Sequence, residues 1–93
     1  MKAIFKVVQQ GEAYAVQSKQ NEGGQTMKCN IVLQELGGKY EDQYVCTMLG
    51  NAATGKFYTG DVVAASLRFS AREYNGQIYQ DILVTDIVKI SPL

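Results

Sequence analysis

The pair Asn75-Gly76, set between two long alternating runs, constrains this chain more than any other feature. "DVVAASLRFSARE" (61–73) precedes it and "QIYQDILVTDIVKI" (77–90) follows it. A type I′ turn needs positive φ at both central residues, and Asn-Gly is the pair that accepts it. With the turn there, Tyr74 pairs with Gln77, Arg72 with Tyr79, Ser70 with Asp81 and Arg68 with Leu83. Strand side chains alternate, so all of these share one face. The other face carries Leu67, Phe69, Ala71, Ile78, Ile82 and Val84, and is expected to be core. A long antiparallel hairpin is therefore fixed, and the rest of the chain must build a sheet around it.

The rest supplies three more strands. "KAIFKVV" (2–8) is short and β-rich, and "QYVCTML" (43–49) is similar. "TMKCNIVLQEL" (26–36) alternates, with Met27, Cys29, Ile31 and Leu33 on one side and Lys28, Asn30, Val32 and Gln34 on the other. "QNEGGQ" (20–25) and "LGGKYED" (36–42) have turn composition. "GEAYAVQSK" (11–19) extends the first strand or forms a side flap, and "NAATGKFYTG" (51–60) has room for a turn of helix. A chain of 93 residues holds one core, so residues 1–93 read as one domain. Five strands with a short helical or irregular insert after the third fit an all-β, partly open barrel. A generic small β-sandwich is the alternative.

Several functions lose support at this level. Nine basic residues balance nine acidic ones, so no global field attracts a polyanion or an anionic membrane. Any such attraction must be local. Lys6 and Gln9-Gln10 cut short the apolar run of a signal peptide, and no stretch has the length of a membrane span. A cytoplasmic protein is expected, with Cys29 and Cys46 as free thiols that face each other if the hairpin between their strands is centred near residues 37–38. "GNAATGKF" (50–57) matches GxxxxGK, but Phe57 stands where a P-loop needs Ser or Thr for Mg²⁺. Gly60-Asp61 leave no room for the helix that would face the phosphates, although Lys56 could still touch a phosphate backbone. The chain has no histidine, and its carboxylates lie in turns or beside polar strand positions. Neither acid–base chemistry nor a zinc site is expected, so no enzyme activity and no cofactor.

The stretch from Tyr44 to Val88 then takes on a familiar shape: a strand ending at Gly50, a short insert, "GD-V-A-L", and the Arg72–Asp81 hairpin running into a long last strand. It resembles the C-terminal half of bacterial single-stranded DNA-binding proteins, and also a group of small bacterial OB-fold proteins of unassigned function. The resemblance covers residues 43–90, and residues 1–42 by strand order. It implies a five-stranded Greek-key OB-fold barrel whose ligand lies across the second and third strands, between the loop joining strands one and two and the loop joining strands four and five. The first loop would be about residues 17–25, with Lys19 on its approach; the second is the Asn75-Gly76 hairpin. Gln43, Val45, Thr47 and Leu49 would face outward from the third strand, and none is aromatic.

From the residues and the resemblance together, single-stranded nucleic acid is the expected ligand, DNA ahead of RNA, without strong sequence preference. Lys19, Lys28, Arg68 and Arg72 would neutralise phosphates, and Tyr74 and Tyr79 would stack bases. Tyr14, Tyr40 and Tyr58 are secondary candidates in loops. Dimers or tetramers are expected, because one barrel offers a short site. The alternatives are an OB-fold protein-interaction or oligomerisation module, and an oligosaccharide-binding domain.

Overall fold

The computed structural model describes residues 1–17, 24–37 and 41–91. In chain order the elements are β1 (Lys2–Gln10), β2 (Tyr14–Gln17), β3 (Gln25–Glu35), β4 (Gln43–Leu49), α1 (Asn51–Thr54), β5 (Val62–Tyr74) and β6 (Gln77–Ser91). The sheet runs β1-β5-β6-β4-β3-β2, and an added β1–β3 pairing closes it. Five strands thus form a closed Greek-key barrel. Its pairings are antiparallel except β4–β6, which is parallel at Thr47↔Leu83. β2 continues the line of β1 along the same edge of β3, with Gln10 opposite Ile31 and Tyr14 opposite Lys28. Of the 11–19 segment, Tyr14–Gln17 therefore extends the first strand after a three-residue break, and residues 18 and 19 lie outside the described residues. No helix among the described residues is long and apolar enough to cross a membrane.

Alternation places the core. Phe5, Val7, Cys29, Ile31, Leu33, Cys46, Met48, Val63, Ala65, Leu67 and Val84 fill the barrel, and Ala53 of α1 caps one end. Two of the three register shifts in the sheet bear on the site. The register of β1 against β3 slips between Val7 and Gln9, so Gln10 comes opposite the buried Ile31. Its amide then bridges the segment after α1: Nε2 donates to Gly55 O at 2.8 Å, and Oε1 accepts the Phe57 N–H at 2.7 Å. Nearby, the buried carboxylate of Asp61 accepts the Tyr58 N–H at 2.8 Å and faces Lys89 Nζ at 3.3 Å. These contacts hold it below the usual carboxylate range, the backbone hydrogen bond most of all.

The second of these shifts lies between β5 and β6. Leu67 pairs with Val84 but Ser66 with Asp86, leaving Thr85 extra. Bulges bend a strand and increase its twist. β1 accompanies β5 only as far as the Met1–Leu67 backbone bonds, and β4 pairs with β6 at Leu83. Past these positions no described strand flanks the hairpin, which projects as a two-stranded arm. The radius of gyration of 14.0 Å exceeds the roughly 12 Å of a compact chain of this length, and the arm accounts for the excess.

Two expectations change here. Of the hairpin face read as core, Leu67 and Val84 are buried and Ile82 is half-buried, but Ala71 is exposed, Phe69 is 42% exposed and Ile78 is 78% exposed. Alternation specifies a face, but not how fully that face is covered: Phe69 keeps an edge contact with the Tyr44 ring, 6.2 Å between centroids, and is still exposed. The cysteines also do not face each other: Cys29 pairs with Met48 and Cys46 with Ile31. The β3–β4 register is offset from the expected one by two residues, so the two buried thiols sit diagonally. Burial pushes the Cys46 thiol up to about 11.

Candidate nucleic-acid interface

The outer surface of β3 and β4 is built by the β3–β4 register. Lys28 pairs with Leu49, Asn30 with Thr47, Val32 with Val45 and Gln34 with Gln43. Their neighbours Cys29, Ile31, Leu33, Cys46 and Met48 are fully buried, so these eight face outward. The parallel contact carries this surface onto the hairpin. Asn30, Thr47, Leu83 and Arg68 form one cross-strand row over β3, β4, β6 and β5. The polar face of the arm is therefore continuous with the outside of β3–β4.

The arm has the anticipated turn. Asn75 has φ 52° and Gly76 φ 79°, as a type I′ turn requires. Arg72 pairs with Tyr79, Tyr74 with Gln77, Ser70 with Asp81 and Arg68 with Leu83. The Arg72 guanidinium lies 5.0 Å from the centroid of the Tyr79 ring. Its Nε donates to Asp81 Oδ2 at 2.7 Å, and both side chains are well exposed. The Tyr79 hydroxyl donates to Gln77 Oε1 at 2.8 Å. Tyr74 is 61% exposed at the tip.

The other candidates divide. Lys28 and Arg68 lie on the continuous face, without an ion pair among the described residues. Lys19 and Tyr40 lie outside the described residues. Tyr14 is not in a loop: β2 places it opposite Lys28, so Tyr14, Lys28 and Leu49 form a second outward row. Sequence reasoning named Tyr14 as a secondary candidate but put it in a loop, because "YAVQ" is too short to show alternation. Tyr58 and Lys56 line a separate cleft beside α1, and Tyr58 sits 5.9 Å beneath Lys89 Nζ. The Arg72–Asp81 pair was missed. The register would have shown it, since Asp81 is the diagonal neighbour of Arg72 on the same face.

This geometry can present a shallow polar track with a tyrosine near each side: Tyr14 beyond Lys28, and Tyr79 beneath Arg72. Among the described residues no group of three or more His, Cys, Asp or Glu could hold a metal ion.

The comparisons agree with the barrel. The solution NMR structure of the second OB-fold domain of replication protein A from Methanococcus maripaludis superposes with a TM-score of 0.72. The match covers 99% of this chain and 84% of that one, at 16% identity. The fold is an OB barrel. At that identity the likeness speaks for the fold alone. No protein-family model and no curated protein matches the chain.

Proposed function

We propose that this OB barrel binds single-stranded nucleic acid, DNA in the first instance, without strong sequence preference. The observation that carries the proposal is the continuity of the outer β3–β4 surface with the polar face of the arm through Asn30, Thr47, Leu83 and Arg68. OB folds take oligonucleotides on this face, between the loops that flank it. Lys28, Arg68 and Arg72, with Lys19 from the β2–β3 connection, meet the phosphates. Tyr14, Tyr79 and Tyr74 offer rings to bases, which suits sequence tolerance because every base has a π-face. The role is one of binding, without catalysis or cofactor. A single barrel spans few nucleotides, so two or four copies acting together in the cytoplasm complete the picture.

The test is a ¹⁵N–¹H titration with oligo-dT. Shifts along Tyr14, Lys28, Asn30, Thr47, Arg68 and Tyr79 support the reading. No shift in a folded protein at low salt overturns it. A parallel titration with oligo-rU ranks DNA against RNA, because the 2′-hydroxyl is what distinguishes them.

One observation favours a second reading, a protein-interaction module. The arm exposes Phe69 and Ile78, the barrel wall exposes Ile4, Val88 and Ile90, and the β3–β4 face has no aromatic residue. Sedimentation of the wild type beside Ile78→Ser separates the two readings: a partner surface on the arm changes the assembly state, and a nucleic-acid arm changes affinity.

A further inference from the structure

The barrel wall is left incomplete along one strand edge. β1 uses one edge for β3 and the other for β5, from Lys2↔Ser66 to Lys6↔Val62. Beyond β5 that second edge is still occupied. Val7 N donates to Asp61 O and Gly60 N to Val7 O, each at 2.8 Å, and Thr59 Oγ1 donates to Val8 O at 2.9 Å. The Gln10 amide then makes the last bridge, to Gly55 and Phe57. There the ladder stops. Glu12 and Ala13 make no backbone–backbone hydrogen bond among the described residues. β2 pairs with β3 on one edge and with no described strand on the other.

A half-open cleft of about 370 Å³ begins at the same point. One wall is Gln10–Ala13, and the other is the Ala53–Tyr58 segment, with Phe57 half-buried and Lys56 exposed. The cleft along residues 11–13 and the unpaired edge of β2, four residues and about 13 Å at strand rise, are therefore consecutive parts of one slot.

We propose that this slot receives an extended peptide segment of another protein. The peptide adds as a strand to the Tyr14–Gln17 edge and places a bulky apolar side chain in the cleft between Ala13, Ala53 and Phe57. An edge strand presents N–H and C=O groups at strand spacing, and a polypeptide main chain complements them; side-chain pockets beside the edge supply specificity. Of the devices that blunt a single edge, Lys and Pro are missing from residues 11–17, while β2 is short and Glu12 is charged. Glu12 and Lys56 set one charge of each sign at the rim.

The test pans a phage-displayed library of random nonapeptides against the immobilised protein. Selected peptides are then measured on wild type and on Ala13→Trp and Thr54→Trp. Both positions are exposed residues lining the cleft, and Trp there fills it. Each variant is checked for an unchanged urea midpoint. The expected peptides share one bulky apolar position, bind both variants at least about tenfold more weakly, and slow amide exchange in residues 11–17. Methylating alternate main-chain nitrogens of a selected peptide abolishes its binding while keeping its side chains, a readout that does not depend on the variants. The proposal is overturned if no peptide is enriched over bare support, or if selected peptides bind the folded variants and the methylated form equally well. It is overturned too if the amides of Gly11–Ala13, which lie off the proposed nucleic-acid track, respond instead to oligo-dT or to self-association.

Discussion

Arg72 donates its Nε to Asp81 at 2.7 Å, so the cation expected to meet a phosphate already meets a carboxylate. The pair is solvent-exposed, and such pairs contribute about 0–1 kcal/mol. The Nη groups have no acceptor among the described residues and the ring of Tyr79 holds the guanidinium plane, so Asp81 modulates Arg72 without sequestering it. Asp81→Asn should tighten oligo-dT binding about two- to fivefold at low salt, with the gain shrinking as salt rises. Anisotropy titrations check this; a loss of affinity would mean that Asp81 positions Arg72.

Tyr14 shares a row with Lys28, whereas Tyr58 lines the α1 cleft. Tyr14→Ala and Tyr79→Ala should each cost about 1–3 kcal/mol of oligo-dT binding, as lost base stacking does. Tyr58→Ala should leave binding unchanged. Equal losses at all three positions would show that the track is not confined to the β3–β4 face.

The strands were legible because period-two alternation repeats over long runs, and Asn75-Gly76 fixed one register to the residue. The arm's exposure was not legible. Phe69 and Ile78 alternate like core residues, and only the absence of described flanking strands past Leu67 and Leu83 shows otherwise. Tyr14 was named but placed in a loop, because four residues after a glycine break carry too little periodicity to show a strand. The cysteine pairing failed because "LGGKYED" allows more than one turn centre, and a shift there moves Cys29 off Cys46.

Gly76 has φ 79°, and no atom lies within 4 Å of a Cβ built there, so Gly76→Ala costs backbone strain alone. The expected penalty is about 1–2 kcal/mol, confined to a ribbon that no described strand flanks. Amide exchange should quicken across residues 69–82 while the urea midpoint barely moves. A large midpoint shift would mean that the arm and barrel unfold as one unit.

The Tyr44 hydroxyl donates to Glu35 Oε1 at 2.6 Å. That hydrogen bond first, then burial and the nearby carboxylates, push its pKa from 10.0 up to about 12. A group with a raised folded pKa stabilises fully below its unfolded value and loses that contribution as pH climbs through the folded one. Stability should therefore fall between pH 10 and about 12. The chain has six tyrosines and no tryptophan, so tyrosinate absorbance reads the titration directly. Wild type should show one late-titrating tyrosine that Glu35→Gln moves earlier. An unchanged curve in Glu35→Gln would contradict the assignment.

The most direct measurement is the salt dependence of binding to a fluorescein-labelled oligo-dT of about 16 nucleotides, the upper end of an OB site. Three described cations, with or without Lys19, predict that log K falls against log salt with a slope of about −2 to −3. Lys28→Ala and Arg68→Ala should each flatten it by roughly 0.7. Absence of binding at low salt by the folded protein, or binding indifferent to salt, would contradict a single-strand track on this barrel.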